Sequence, residues 1–223
     1  MMPAPSAARS STGSRGSFTL SELIPPRTDR TVLVGTTGSG KTTLARQLLD
    51  SYPVVVVHDA KGLLKWPDYR VLTNWRELTR AREAKLIYRP SAKELRSELD
   101  QECFFRWIYT RRNTVLYVDE VYSIAYRDEL PPSYFACLTR GRERGIGILS
   151  ATQRPTKIPN VILSESEHYF LFRLNLPNDR KKMQEVTGVH EEIIGNLQKT
   201  QFVVASAGGY DILGPMRLQI KGG

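Results

Sequence analysis

The sequence predicts an α/β fold, a mostly parallel β-sheet with helices on both faces. Three observations carry this. From about residue 30, strand-like runs alternate with helix-like stretches, the pattern of repeated βα units. The run Val54-Val55-Val56-Val57 is apolar on both faces, as a strand inside a parallel sheet must be. The run Thr31-Val32-Leu33-Val34 leads straight into a glycine-rich loop, Gly-Thr-Thr-Gly-Ser-Gly-Lys-Thr at 35–42, and then into the helix-compatible Thr43-Leu44-Ala45-Arg46-Gln47-Leu48-Leu49.

In chain order, short runs rich in aliphatic and aromatic residues predict strands at Thr31–Val34, Pro53–His58, Leu86–Tyr88, Thr114–Val118, Ile146–Ala151, His168–Leu174 and Gln201–Ala205. Helical stretches are predicted at 41–50, 74–82, 91–109, 132–141, 178–187 and 190–197. A closing hairpin is expected between Phe202–Val204 and Ile212, turning at Gly208-Gly209. Residues 1–17 are mostly Ser, Ala, Gly, Pro and Arg with no acidic residue, and cannot bury enough surface to fold. Residues 1–20 are therefore expected to form a disordered arm, and 21–223 a single nucleotide-binding domain.

Hydrophobic residues make up 40% of the 223, enough for a real core. No apolar run approaches the roughly 18 residues of a membrane span, so the chain is not expected to cross a bilayer. Nor does the N-terminus carry the apolar stretch of a secretory signal. Cys103 and Cys137 do not make a disulfide framework and read as reduced thiols. His58, His168 and His190 have no ligand-like spacing. The net charge of +9 points to a polyanionic partner, nucleic acid first. Basic clusters at Arg111-Arg112, Arg140-Arg142-Arg144 and Arg180-Lys181-Lys182 support this, although charge alone leaves a merely basic protein equally open.

The loop at 35–42 matches the phosphate-binding pattern G-x-x-x-x-G-K-[ST] at a strand-to-helix turn. A chance match in a chain of this length is roughly a 1% event. Gly35, Thr36, Thr37, Gly38, Ser39, Gly40, Lys41, Thr42 and Thr43 are thus the candidate nucleotide-binding residues, with ATP as the ligand. The glycines let backbone N–H groups approach phosphates, and the helix adds its positive end. Lys41 would reach the β- and γ-phosphates, and the Thr42 hydroxyl would ligate Mg²⁺.

A second motif, Val115-Leu116-Tyr117-Val118-Asp119-Glu120, is an apolar strand ending in two acids. In parallel sheets such strand ends face the ligand. Asp119 is the candidate to hold Mg²⁺ through water, and Glu120 the candidate general base. P-loop ATPases of the additional-strand type carry this second acid, whereas small-molecule P-loop kinases usually lack it. A third segment places Gln153 at the end of the 146–151 strand, where it could hydrogen-bond the γ-phosphate or the attacking water. Capping of the turn before Pro155 is the alternative.

On these residues the sequence resembles the FtsK–HerA superfamily of DNA-pumping ATPases, and within it the genome-packaging ATPases of tailless viruses with an internal membrane. The matching segments are Gly35–Thr42, Val115–Glu120 and Gly-Arg-x-x-Gly-Ile-x-x-x-x-Ala-Thr-Gln-Arg-Pro at 141–155. Asp59-Ala60-Lys61-Gly62 is similar to the Asp-x-Lys-Gly of HerA-like chains. The resemblance covers about residues 30–175. It implies a RecA-like additional-strand (ASCE) fold, with the 146–151 strand between those of the phosphate loop and Asp119-Glu120. It also implies a homo-oligomeric ring, usually a hexamer, with ATP between subunits and an arginine finger acting across the interface. Arg142 falls on the family's arginine, with Arg140 and Arg144 as alternatives.

The chain has the size of a bare motor core, which favours packaging of double-stranded DNA into a preformed capsid. That would take place in the host cytoplasm, with a capsid or portal vertex or a virion membrane protein as partner and with retention at the vertex as a further expectation. A plasmid-transfer or HerA-like ATPase is the neighbouring alternative. A small-molecule kinase and an ATP-binding structural vertex protein are alternatives of other classes. The segments around Lys61–Lys65 and Tyr122–Arg127 are the candidates to grip DNA.

Overall fold

The computed structural model describes residues 20–125 and 129–213. The arm expected over 1–20 lies outside them but for Leu20. The strands are β1 (Arg30–Val34), β2 (Val55–His58), β3 (Arg70–Leu72), β4 (Lys85–Tyr88), β5 (Val115–Val118), β6 (Gly147–Thr152), β7 (His168–Phe172), β8 (Phe202–Ser206) and β9 (Gly209–Leu213). They form one sheet in the order β3-β4-β2-β5-β6-β1-β7-β8-β9. β3 to β7 pair in parallel; β8 and β9 close the edge in antiparallel fashion. The α/β fold, the mostly parallel sheet and the terminal hairpin are as predicted, and β6 lies between β1 and β5.

The helices are α1 (Lys41–Leu49), α2 (Trp75–Leu78), α3 (Ala92–Arg96), α4 (Glu98–Thr110), α5 (Pro132–Arg140), α6 (Asn160–Ser164), α7 (Pro177–Thr187) and α8 (Glu191–Asn196). Two predicted helices are corrected. The stretch 91–109 is two helices, because Ser97 is extended (φ −94, ψ 106) and its hydroxyl caps α4 by accepting from the Asp100 N–H at 3.1 Å. The stretch 74–82 shrinks to α2, where the Thr79 hydroxyl donates back to the Arg76 carbonyl. β3 and α6 carried no legible sequence signal. In β3 only Leu72 is buried, too little for a periodic pattern.

Strand alternation divides the core into two layers. On one face Val32, Val34, Val56, Leu116, Val118 and Ile148 pack with Phe104 and Phe105 of α4 and Tyr134 and Cys137 of α5. On the other, Leu33, Val55, Val57, Tyr117 and Leu149 pack with Leu44, Ala45, Leu48 and Leu49 of α1. Each such aliphatic side chain contributes about 1.5–3 kcal/mol by leaving water. Both cysteines are free thiols, and burial pushes Cys137 up to about 12.

Two close approaches lock the N-terminal end of the sheet. The buried Arg30 side chain donates from Nε to the Leu138 carbonyl (2.6 Å) and from Nη2 to the Cys137 carbonyl (3.3 Å), capping the C-terminal end of α5. Burial is the main influence lowering its guanidinium below the ordinary value, opposed by Glu167. Beside it the chain before β1 crosses over Gly147, where a Cβ would stand 1.8 Å from the Arg27 carbonyl oxygen. Gly147→Ala is therefore expected to push this crossing off the sheet. The expected cost is about 1–3 kcal/mol, a fall in melting temperature of about 2–12 °C, readable by calorimetry.

Candidate nucleotide site

The C-terminal ends of β1, β5 and β6 lie side by side, with Val34 opposite Thr152 and Val118 opposite Ser150. The glycine-rich loop leaves β1 and is tied to both neighbours. The Gly35 N–H donates to the Thr152 carbonyl (3.2 Å) and the Thr36 N–H to the Arg173 carbonyl (3.1 Å). A Cβ on Gly35 would lie 2.5 Å from the Cβ of Phe172, so only glycine fits there. Gly40 enters α1 in the left-handed region (φ 109, ψ 0) and offers no side-chain cap. The first N–H groups of α1 are left for a ligand, at the helix end that favours anions. The buried Ser39 hydroxyl faces the same loop without a partner among the described residues.

Lys41, the first residue of α1, is only 8% exposed. Its ammonium donates to the carbonyls of Gly35 (2.7 Å) and Thr36 (2.9 Å). Burial pulls its pKa down to about 8, with Glu120 and Asp119 opposing and Lys61 adding to the fall. Thr42, next on the helix, brings its hydroxyl within 3.3 Å of an Asp119 carboxylate oxygen at the end of β5. Thr43 follows, half-buried on the same turn. The buried Tyr117 hydroxyl donates to the same Asp119 oxygen at 2.8 Å, and burial holds that phenol well above its usual range. Thr42 and Asp119 thus present hard oxygen ligands of the kind that suits Mg²⁺.

Glu120 follows Asp119 beyond the end of β5 with its side chain 13% exposed, and its carboxylate pairs with Lys61 at 3.2 Å. From the end of β6, Gln153 accepts from the Thr37 hydroxyl at 2.7 Å. Beyond it, the Arg154 guanidinium donates to buried Asp179 of α7 (2.9 Å), which also accepts from the Thr156 hydroxyl (2.6 Å). Thr36, Thr37, Gln153, Arg154, Leu174 and Asn175 line a cleft of about 460 Å³. The chain thus gathers the phosphate loop, Asp119, Glu120 and Gln153 at one sheet edge.

Arg142 is not part of that cluster. It sits in the short 3₁₀ turn Gly141–Arg144 before β6, at the N-terminal end of the strands. Its guanidinium pairs there with Glu167, and with Asp29 at 3.4 Å. The five residues of β1 separate the two ends of the sheet by on the order of 15 Å. Arg142 therefore lies remote from the phosphate loop of its own chain. Arg140 is exposed with no ion pair among the described residues, and Arg144 stacks over the Tyr109 ring at 4.3 Å. Of the candidate DNA-gripping segments, 61–65 carries exposed Lys61, Leu63 and Lys65, and 122–127 carries exposed Tyr122; residues 126 and 127 lie outside the described part.

Sequence reading passed over several neighbours of the site. Tyr117 lies two residues before Asp119, so strand periodicity already put both on one face. Asp179 and Arg89, far off in sequence, gave no such signal. The Arg89 guanidinium donates to the fully buried Asp59 at 3.0 Å and also to the Leu64 carbonyl, while Asp59 accepts from the Leu63 and Leu64 N–H groups at 3.2 and 3.1 Å.

Comparison with known proteins gives a consistent relationship. No protein-family model matches the chain. It is 29% identical over 170 residues to the DNA packaging ATPase P9 of Enterobacteria phage PRD1, covering 72% of this chain and 71% of that protein. The genome packaging NTPase B204 of Sulfolobus turreted icosahedral virus 2, solved with ATP-gammaS, superposes with a TM-score of 0.70. It is 18% identical and the match covers 86% of this chain and 100% of B204. The bacterial conjugative coupling protein TrwB matches at a TM-score of 0.60 with 12% identity, covering 88% of this chain and 86% of that one. By sequence the chain is similar to a phage DNA packaging ATPase, and in fold to a viral genome packaging NTPase and a conjugative coupling protein.

Proposed function

We propose that the chain is an ATP-driven translocase that moves double-stranded DNA, packaging a viral genome into a preformed capsid. The observation that carries this is the relationship to P9, a DNA packaging ATPase, in a chain that sets a phosphate loop beside Asp119, Glu120 and Gln153. Residues 21–223 act as one ATPase domain in the host cytoplasm, delivered to or retained at a capsid vertex by a virion partner. Among the described residues no helix is long and apolar enough to cross a membrane. The likeness to TrwB favours conjugative DNA transfer as the second reading.

The proposed chemistry follows from the geometry. Backbone N–H groups from Gly38 to Thr43 cradle the phosphates. The Lys41 ammonium exchanges the Gly35 and Thr36 carbonyls for phosphate oxygens. Thr42 and Asp119 would hold Mg²⁺, which would supply positive charge against the phosphates. Glu120 aligns and deprotonates the attacking water, and Gln153, held by Thr37, senses the γ-phosphate. No hydroxyl acceptor is needed, so turnover that required a small-molecule acceptor would replace the motor with a kinase. Arg142 serves a neighbouring subunit in a ring, usually of six. Its side chain stands 54% exposed, and its ion-pair partners among the described residues are the part-buried Asp29 and the more exposed Glu167, so solvent weakens its hold there.

Glu120→Gln is expected to bind ATP with near wild-type affinity and lose at least about 100-fold in hydrolysis, measured by phosphate release with double-stranded DNA present. Chelation of Mg²⁺ should abolish turnover in the wild type.

Arg142→Ala is expected to keep its melting temperature and ATP binding yet lose hydrolysis. Mixed with Lys41→Ala chains, it should recover part of the activity, because each supplies what the other lacks. Inactive mixed rings of verified composition would remove action between subunits.

ATP affinity should also depend on pH through Lys41. Below pH 8 the ammonium is already protonated and affinity is flat. Above it, binding must take up a proton, so affinity falls by up to about tenfold per pH unit. Titration of a fluorescent ATP analogue between pH 7 and 9.5 reads this directly.

A further inference from the structure

Tyr117 carries a hydroxyl at a position where the core asks only for an apolar side chain. It is fully buried in β5, and on its face of the sheet Leu33, Val57 and Leu149 pack against α1. A buried hydroxyl costs free energy unless it is hydrogen-bonded. Its partner is Asp119, two residues on and on the same face of the strand, and the phenol donates to Asp119 Oδ1 at 2.8 Å. The Thr42 hydroxyl donates to the same oxygen at a longer 3.3 Å. Hydroxyl-to-oxygen bonds are at their best near about 2.7–2.8 Å, so Tyr117 and not Thr42 is the stronger hold on the carboxylate.

The Tyr117 ring is itself held in place. Trp66 stacks on it with centroids 6.1 Å apart and 17° between the planes, and meets Tyr69 edge-on at 5.1 Å. The Arg46 guanidinium lies over both rings, 5.1 Å from Trp66 and 4.7 Å from Tyr69. Arg46 is one turn beyond Thr42 on the same face of α1. The contacts close a circuit that runs from α1 through Arg46, Trp66, Tyr117 and Asp119 back to Thr42 on α1.

We propose that Tyr117 is a positioning residue for Mg²⁺: its hydroxyl anchors one oxygen of Asp119, so that the acid is offered to the metal in a single orientation. This rests on the reading of Thr42 and Asp119 as the pair that holds the metal. The terminal torsion of an aspartate is broad, so a carboxylate with no firm partner must be ordered each time it is used. The phenol orders it beforehand. The Thr42 hydroxyl has one proton, spent on Asp119, and keeps its lone pairs for a cation. Groups that orient a metal's ligands typically change metal affinity by about 10–100-fold. Tyr117 is fully buried and acts through Asp119, so its effect is on the metal and not on nucleotide bound without it.

The test follows binding of a fluorescent, non-hydrolysable ATP analogue to the full chain as Mg²⁺ is added from an EDTA baseline. In the wild type, Mg²⁺ should tighten binding. In Tyr117→Phe, which keeps the ring and its stacking, the Mg²⁺ concentration for half of that gain should rise by about 10–100-fold, with affinity in EDTA unchanged. Asp119→Asn should also weaken the response to Mg²⁺. Adding Tyr117→Phe to it should change the response further by less than about twofold, because both act through one carboxylate. A wild-type measurement stands beside the variants. With isotope-labelled tyrosine, the infrared C–O band of a phenol should shift when Mg²⁺ is added to the analogue-bound chain, and should stay in place in Asp119→Asn. Wild-type binding indifferent to Mg²⁺ would remove the metal reading of Thr42 and Asp119 and the role of Tyr117 with it. A wild-type response to Mg²⁺ in Tyr117→Phe, a full further loss on the Asp119→Asn background, or an unshifted phenol band in the wild type would overturn the role of Tyr117 alone.

Discussion

The parallel pairing of β5, β6 and β1 is the constraint on which the site depends. Parallel strands share a direction, so all three release their chains at the same edge of the sheet. That edge receives the phosphate loop from β1, Asp119 and Glu120 from β5 and Gln153 from β6. A shift of one residue in either pairing would turn the side chains at these strand ends to the opposite faces. The register is held because both faces are buried, Val32 and Val34 against one helical layer and Leu33 against α1. Much of the apolar burial in this protein therefore positions a few polar atoms within hydrogen-bond reach of one another.

The two ends of the sheet do different work. At the N-terminal end, Arg30 caps α5 and the chain crosses Gly147. Asp29 and Glu167 gather Arg142 and His168 there. At the C-terminal end the polar groups sit in or beside the cleft lined by Thr36, Thr37 and Gln153. An arginine placed at the first end has no access to phosphates held at the second end of its own chain. Arg142 lies on the α5-to-β6 segment whose start Arg30 anchors.

Around the cleft the outer polar contacts converge on three acids. Asp119 accepts from Tyr117, Asp179 from Arg154 and Thr156, and Asp59 from Arg89 and the tip of its own loop. Each acid is largely buried and hydrogen-bonded, the condition under which a buried charge orders a loop and does not unravel it. Asp179 brings α7 to the turn that follows Gln153. Asp59 fixes the loop from which Lys61 reaches Glu120.

The local features were legible from the chain alone. A glycine-rich turn between an apolar strand and a helix has one economical conformation, so the turn at Gly35–Thr42 between β1 and α1 was readable from residue type. An apolar strand ending in Asp119-Glu120 declared its place in a parallel sheet, and the order of strands and helices declared the fold class. Where a single residue overruled a periodic pattern, as at Ser97, the pattern misled. Sequence also left Tyr117 as one more apolar position in a strand. It had no means of joining Lys61 to Glu120, or Arg154 to Asp179, because such pairs are made by strand order and by loops that meet across the sheet. The sequence by itself determined the chemistry on offer, through backbone conformation and residue type. Only the tertiary structure decided which charges face one another, and that Arg142 stands at the far end of the sheet from its own phosphate loop, because those separations are set by packing and register and not by distance along the chain.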